Sequence, residues 1–177
     1  MGAHEIAAAL QRAETFFRRR PELGLHDDMQ ASSRWEGGTC VVASHANGTQ
    51  IASDMPCELG GTGDRITPGW LFRAGVASCS ATAIAMTAAA QDIALTSLEV
   101  VVGSRSDARG LLGMSDTEGQ RVCAGPSEYE VRVRIAAEGT APERLRALVD
   151  EGLRRSPMQH ALQTALPITL RVDVDSA

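Results

Sequence analysis

The amino-acid sequence predicts an α+β fold organised around one long central helix. Three observations carry that expectation. Residues 67–91 open on Thr67-Pro68, a capping residue followed by one pre-organised for the first helical turn, and continue through an alanine-rich run of high helix propensity. Residues 129–137 alternate, with Tyr129, Val131, Val133 and Ile135 on one face and Glu130, Arg132 and Arg134 on the other, as in a half-buried strand. Asn47-Gly48, set between two β-prone stretches, is a strong hairpin signal.

Taken in order, the first element is a helix over residues 3–20. Ile6, Leu10, Ala13 and Phe17 share one face, which predicts docking rather than a free tail. Arg18, Arg19 and Arg20 complement the dipole at its end, and Pro21 and Gly24 stop it. Three short strands follow, over residues 30–36, 39–45 and 49–54. The loop Gly60-Gly61-Thr62-Gly63-Asp64 lacks the Gly-Lys-Ser/Thr ending of a phosphate cradle and reads as a flexible connector. The central helix is small-residue all round, so other elements approach it on several sides. A strand over Leu98–Ser104, a polar excursion over residues 106–125 and the strand at 129–137 come next. Thr140-Ala141-Pro142-Glu143 reads as a capping box before a helix with Leu145, Leu148, Val149 and Leu153 on one face. Ser156-Pro157 starts a further short helix, with Ser156 as its N-cap. Ile168, Leu170, Val172 and Val174 alternate as a final strand. No internal repeat or interdomain linker interrupts the chain.

Composition narrows the function classes. The 177 residues suit one domain, and 44% hydrophobic content supplies a core, but only 3% are aromatic. Such a shallow core favours extra burial between two copies. A net charge of −5 argues against a nonspecific grip on nucleic acid. Every basic residue other than histidine is arginine, which reads as composition bias rather than mechanism. No segment reads as apolar enough to span a bilayer. Glu5 and Glu14 break the first apolar run, against a signal peptide, so the expected location is cytoplasmic and no membrane partner is expected. Cys40, Cys57, Cys79 and Cys123 form no C-x-x-C pair, and His4, His26 and His45 have no ligand spacing, so neither metal nor cofactor is expected. In a reducing compartment all four cysteines are free thiols.

Four segments in this order resemble the OsmC/Ohr superfamily (osmotically inducible protein C and organic hydroperoxide resistance proteins). They are Arg34-Trp35-Glu36-Gly37-Gly38 in the first strand, Thr67-Pro68-Gly69-Trp70-Leu71-Phe72-Arg73-Ala74-Gly75 leading to Cys79, Ser97-Leu98-Glu99-Val100, and Ser156-Pro157 with Leu162 before the last strand. The resemblance covers residues 31–174. It divides the chain into an N-terminal helical extension (1–28) and an OsmC-like domain (29–177). It implies a curved, antiparallel-rich sheet packed on the central helix, in an intertwined homodimer.

The resemblance also implies a thiol peroxidase in which the central-helix cysteine attacks an organic hydroperoxide, an Arg and a Glu activate it, and a second cysteine resolves the product. Cys79 matches the first cysteine. Gly69 stands at the Glu, Ser156 at the second cysteine, and Thr39 or a neighbouring glycine at the Arg. A thiolate this far into a helix gains little from the N-terminal dipole and needs a cation. Arg73 lies roughly 240° around the helix from Cys79. Arg34 and Arg65 are therefore the candidates, from the same chain or from its partner. Cys79 also fits a bland role, as a small core residue in an alanine-rich helix. His160, four residues beyond Ser156, lacks a nucleophile elbow and reads as a surface histidine. The implied function is a hydroperoxide reductase using Cys79 and an external thiol. The alternative is a noncatalytic relative that binds an apolar small molecule at the dimer interface.

Overall fold

A computed structural model describes residues 2–164 and 166–174. The chain begins with helix α1 (Ala3–Arg19) and a 3-10 turn at Pro21–Leu23. Strands β1 (Ser32–Gly37), β2 (Cys40–Ser44) and β3 (Gln50–Ser53) form an antiparallel sheet in that order. Gly37 and Gly38, at φ +114° and +56°, make the first turn, where a side chain would be strained. The second turn uses Asn47, whose Oδ1 accepts from Thr49 N at 2.9 Å, and Gly48 at φ +90°. The expected hairpin is therefore present.

The central helix is α2 (Pro68–Ala90). Thr67 caps it, its hydroxyl accepting from Trp70 N at 3.1 Å. Strand β4 (Leu95–Arg105) pairs antiparallel with β5 (Glu128–Ala137) to make a second sheet, with a short helix α3 (Ala108–Leu111) between them. Tyr129, Val131, Val133 and Ile135 lie on the covered face of β5, as their alternation requires. Helices α4 (Pro142–Arg154) and α5 (Pro157–Gln163) complete the order.

Packing follows from the small residues of α2. That helix touches β4, α4, α1 and α5. At the α2–α4 crossing, a Cβ on Gly152 would lie 2.7 Å from the Ile84 Cα, so only glycine permits this approach. Leu148 and Ile84 are fully buried, and Ala88, Ile93 and Leu148 form a core against Leu95, Ile135 and Leu145. By length and a mean hydropathy of 1.3, α2 is apolar enough to cross a membrane, contrary to the reading of the sequence. A strand and three helices pack against it, and a third of its apolar stretch is buried.

Three local expectations are corrected. The Gly-rich loop is not a free connector, because it is built around the buried Asp54. Asp54 Oδ1 accepts from Thr39 Oγ1 at 2.5 Å and Met55 N at 2.8 Å, and Oδ2 accepts from Thr62 N at 3.0 Å and Thr62 Oγ1 at 2.8 Å. These donors, the Thr39 hydroxyl foremost, hold the carboxyl well below its ordinary range. Helix α4 is capped at Ala141 without a side-chain bond, since the Thr140 hydroxyl turns back to Glu138 O. Residues 166–174 form no strand among the described residues. Alternation alone cannot make a strand without an edge to pair with, and Ile168 stays 93% exposed.

Candidate functional site

Cys79 sits on α2, half-buried, where α5 and the start of α1 approach. Ser156, 1% exposed, occupies the N-cap position of α5 but makes no side-chain cap. Its hydroxyl donates instead to Cys79 Sγ at 3.3 Å. The expected N-cap role is thereby replaced by a direct contact with the candidate thiol. Gln159 Nε2 donates to Ser80 Oγ at 3.4 Å and pins α5 to α2 one residue further along. His160 is exposed and only its backbone N–H returns to Ser156 O.

The thiol opens on a cavity of about 490 Å³. Cys79, Ala83 and Met86 of α2 form one wall, Pro157 and Arg155 another, and Leu10 of α1 a third. The lining is predominantly apolar. Arg155 brings the charge: its guanidinium reaches Glu151 at 2.6 Å, and Arg154 reaches the same carboxylate at 2.7 Å. Hydrogen bonds from Arg154 and Arg155 lower the pKa of Glu151. One carboxylate thus serves two guanidinium groups, and the cluster keeps a net positive charge beside the cavity.

The two arginines singled out from the sequence are elsewhere in the chain. Arg34 pairs with Glu36 at 2.8 Å on the exposed first strand. Arg65 donates to Cys40 Sγ at 3.4 Å, with Asp64 at 3.9 Å. Neither is brought to Cys79 within one chain. Arg73 donates to Ser104 Oγ on β4, away from the thiol as its helical phase requires. Residue 69 is glycine and supplies no carboxylate, although a Cβ there would meet Arg73 Nη1 only at an ordinary contact distance of 3.5 Å. Arg155 and Leu10 were missed as site residues. Arg155 immediately precedes Ser156, and Leu10 lies on the apolar face of the first helix, so both carried a usable signal. Among the described residues no cluster of three or more His, Cys, Asp or Glu side chains is placed to hold a metal.

Residues 61–171 match the family of OsmC-like proteins. No curated protein matches the chain. Among solved structures, an OsmC-like protein from Mycoplasma pneumoniae is similar with a TM-score of 0.64 at 18% identity, over 78% of this chain and 89% of that one. An organic hydroperoxide resistance protein from Elizabethkingia anophelis, with thiocyanate bound, gives 0.57 at 19% identity, over 78% and 90%. One from Vibrio cholerae, with captopril bound in one of its active sites, gives 0.52 at 23% identity, over 78% and 88%. At these identities the likeness establishes the fold.

Proposed function

The chain belongs to the OsmC-like protein family, and on that premise we propose that it reduces organic hydroperoxides through Cys79 and an external small thiol. The carrying observation is that Cys79 opens on an apolar cavity while its sulfur accepts a hydrogen bond from Ser156. A half-buried thiol facing a cavity has a route for an apolar hydroperoxide. The similar fold from Elizabethkingia anophelis is an organic hydroperoxide resistance protein, which favours this chemistry.

In the proposed reaction the Cys79 thiolate attacks the outer oxygen of the hydroperoxide. An S–O bond forms, the O–O bond breaks, and the inner oxygen leaves as the alcohol after taking a proton. Cys79 is left as sulfenic acid. Ser156 cannot close a disulfide with it. A small thiol therefore condenses with the sulfenic acid, releasing water and leaving a mixed disulfide. A second thiol then displaces Cys79 and restores it. Arg34 or Arg65 of a partner subunit supplies a cation in this scheme, as does Arg155 of the same chain.

The working unit is a homodimer. Sheet β1–β3 makes no more than marginal contact with the other elements of its own chain, and Trp35 on it is 69% exposed. The alternating apolar residues 168–174 also lack an edge to pair with among the described residues. A second copy covers both. The location proposed for it is a reducing compartment such as the cytoplasm, where Cys79 stays reduced between turnovers.

A second reading keeps the cavity as a binding site for an apolar molecule without chemistry. Gly69 favours it, since no carboxylate there orients an activating arginine. The experiment that separates the readings is sulfenic-acid trapping. The protein is treated with cumene hydroperoxide and a dimedone probe and mapped by mass spectrometry, with Cys79→Ser as control. Selective labelling of Cys79 is expected; labelling of the other cysteines alone makes the binding reading the correct one.

A further inference from the structure

Helix α1 lies outside the residues that match the family, yet Leu10 forms part of the Cys79 cavity. Its docking is confined to one end. Ile6, Ala7 and Leu10 are half-buried, whereas Ala13, Phe16 and Phe17 on the later turns remain exposed. No residue of α1 is fully buried. The part of the helix held against α2 is therefore the part that borders the cavity. The remaining walls come from α2, the start of α5 and Arg155 at the end of α4, so Leu10 is the sole side chain from α1 among those lining it.

From this arrangement we infer that α1 is the selectivity wall of the Cys79 cavity, and that Leu10 determines which molecules reach the sulfur. Together with Ala83, Met86 and Pro157, Leu10 gives the approach to Cys79 a largely hydrocarbon lining. A neutral alkyl group gains by leaving water there, while a charged group loses hydration without a partner on the α1 side. The inference rests on the Cys79 cavity being the functional site, but it does not require Cys79 to reduce peroxides.

Methanethiosulfonate reagents test it in the full chain. The Cys79 thiolate attacks the sulfenyl sulfur, the S–S bond of the reagent breaks, methanesulfinate leaves, and a mixed disulfide remains on Cys79. Rates are measured at the Cys79 peptide by mass spectrometry for the neutral butyl and the cationic trimethylammonioethyl reagents. The native protein should favour the butyl reagent. Leu10→Asp should reduce that preference by roughly tenfold, the scale of a lost apolar contact in a pocket. Leu10→Trp should slow the butyl reagent by narrowing the same path. Circular dichroism confirms that both variants remain folded, and Leu10→Ala replaces either one that does not. Unchanged reagent preference in folded variants overturns the inference, as does a Cys79 that none of these reagents labels. If peroxide trapping fails while the preference shifts with Leu10, the wall stands and only the peroxidase reading falls. If trapping succeeds and the preference does not shift, the reverse holds.

Discussion

Ser156 Oγ lies 3.3 Å from Cys79 Sγ and donates to it, joining α5 to the middle of α2. Ser156 also stands where the resemblance places a second cysteine. Replacing it tests the site directly. In Ser156→Cys the introduced thiol should form a disulfide with Cys79 after one equivalent of hydroperoxide, seen as the loss of two hydrogens in the intact mass under non-reducing conditions. The separation of the two side chains is compatible with a disulfide after a small adjustment. A variant that keeps both thiols free after peroxide would show that Cys79 does not reach the sulfenic state.

The Gly152–Ile84 contact predicts a packing defect. Gly152→Ala puts a methyl group against the Ile84 backbone, which has no flexible end to yield. The expected destabilisation is about 1–3 kcal/mol by urea unfolding, the usual range for overpacking. Because α4 leads directly into Ser156, the same change should also weaken the contact of α5 with Cys79. A variant as stable as the parent would mean that α2 and α4 separate freely.

Asp54 predicts an acid-sensitive loop. Its carboxyl is held below the ordinary range by the hydroxyl of Thr39 and the donors from Thr62 and Met55. A group whose folded pKa is depressed contributes stability above its unfolded value. That contribution falls away as pH drops below about 4 toward the folded value. Asp54→Asn should lower the melting temperature at pH 7, and the gap to the parent should narrow at pH 3. An equal gap at both pH values would refute the assignment.

Association is tested by mass in solution. Light scattering should give about twice the chain's 18.7 kDa. Ile168→Asp adds a charge to a segment that lacks a strand partner among the described residues, and should shift the population toward monomer. A stable monomer of the parent at micromolar concentration would overturn the homodimer.

Sequence signals were faithful wherever one element decides its own form. Thr67 caps α2, Asn47-Gly48 turns the hairpin, and the alternation of Tyr129 to Ile135 sorts the faces of β5. Legibility failed where a side chain answers to something distant. Ser156 had every local mark of a helix cap, but Cys79, far away in the chain, takes its hydroxyl. The Gly-rich loop looked loose because Asp54, which organises it, belongs to the end of the preceding strand region. The motif around Cys79 marked it as the candidate thiol. Arg155 offered only its position next to Ser156, because its place beside the cavity depends on how α4 and α5 meet α2.

The loop around Asp54 also bears on assembly. Asp54 N donates to Ile66 O at 3.0 Å, just before the Thr67 cap, and Ser53 bridges to the same residue. The sheet that leans on almost nothing else is thereby joined to the start of α2 by more than a covalent tether. It is an outrigger held in place before the second subunit of the proposed homodimer arrives. A limp arm would surrender orientational entropy on every encounter; this one has already surrendered it during folding, so more of the contact energy is left to tighten the complex. Loosening that joint should then weaken association even though Asp54 need never touch the other subunit.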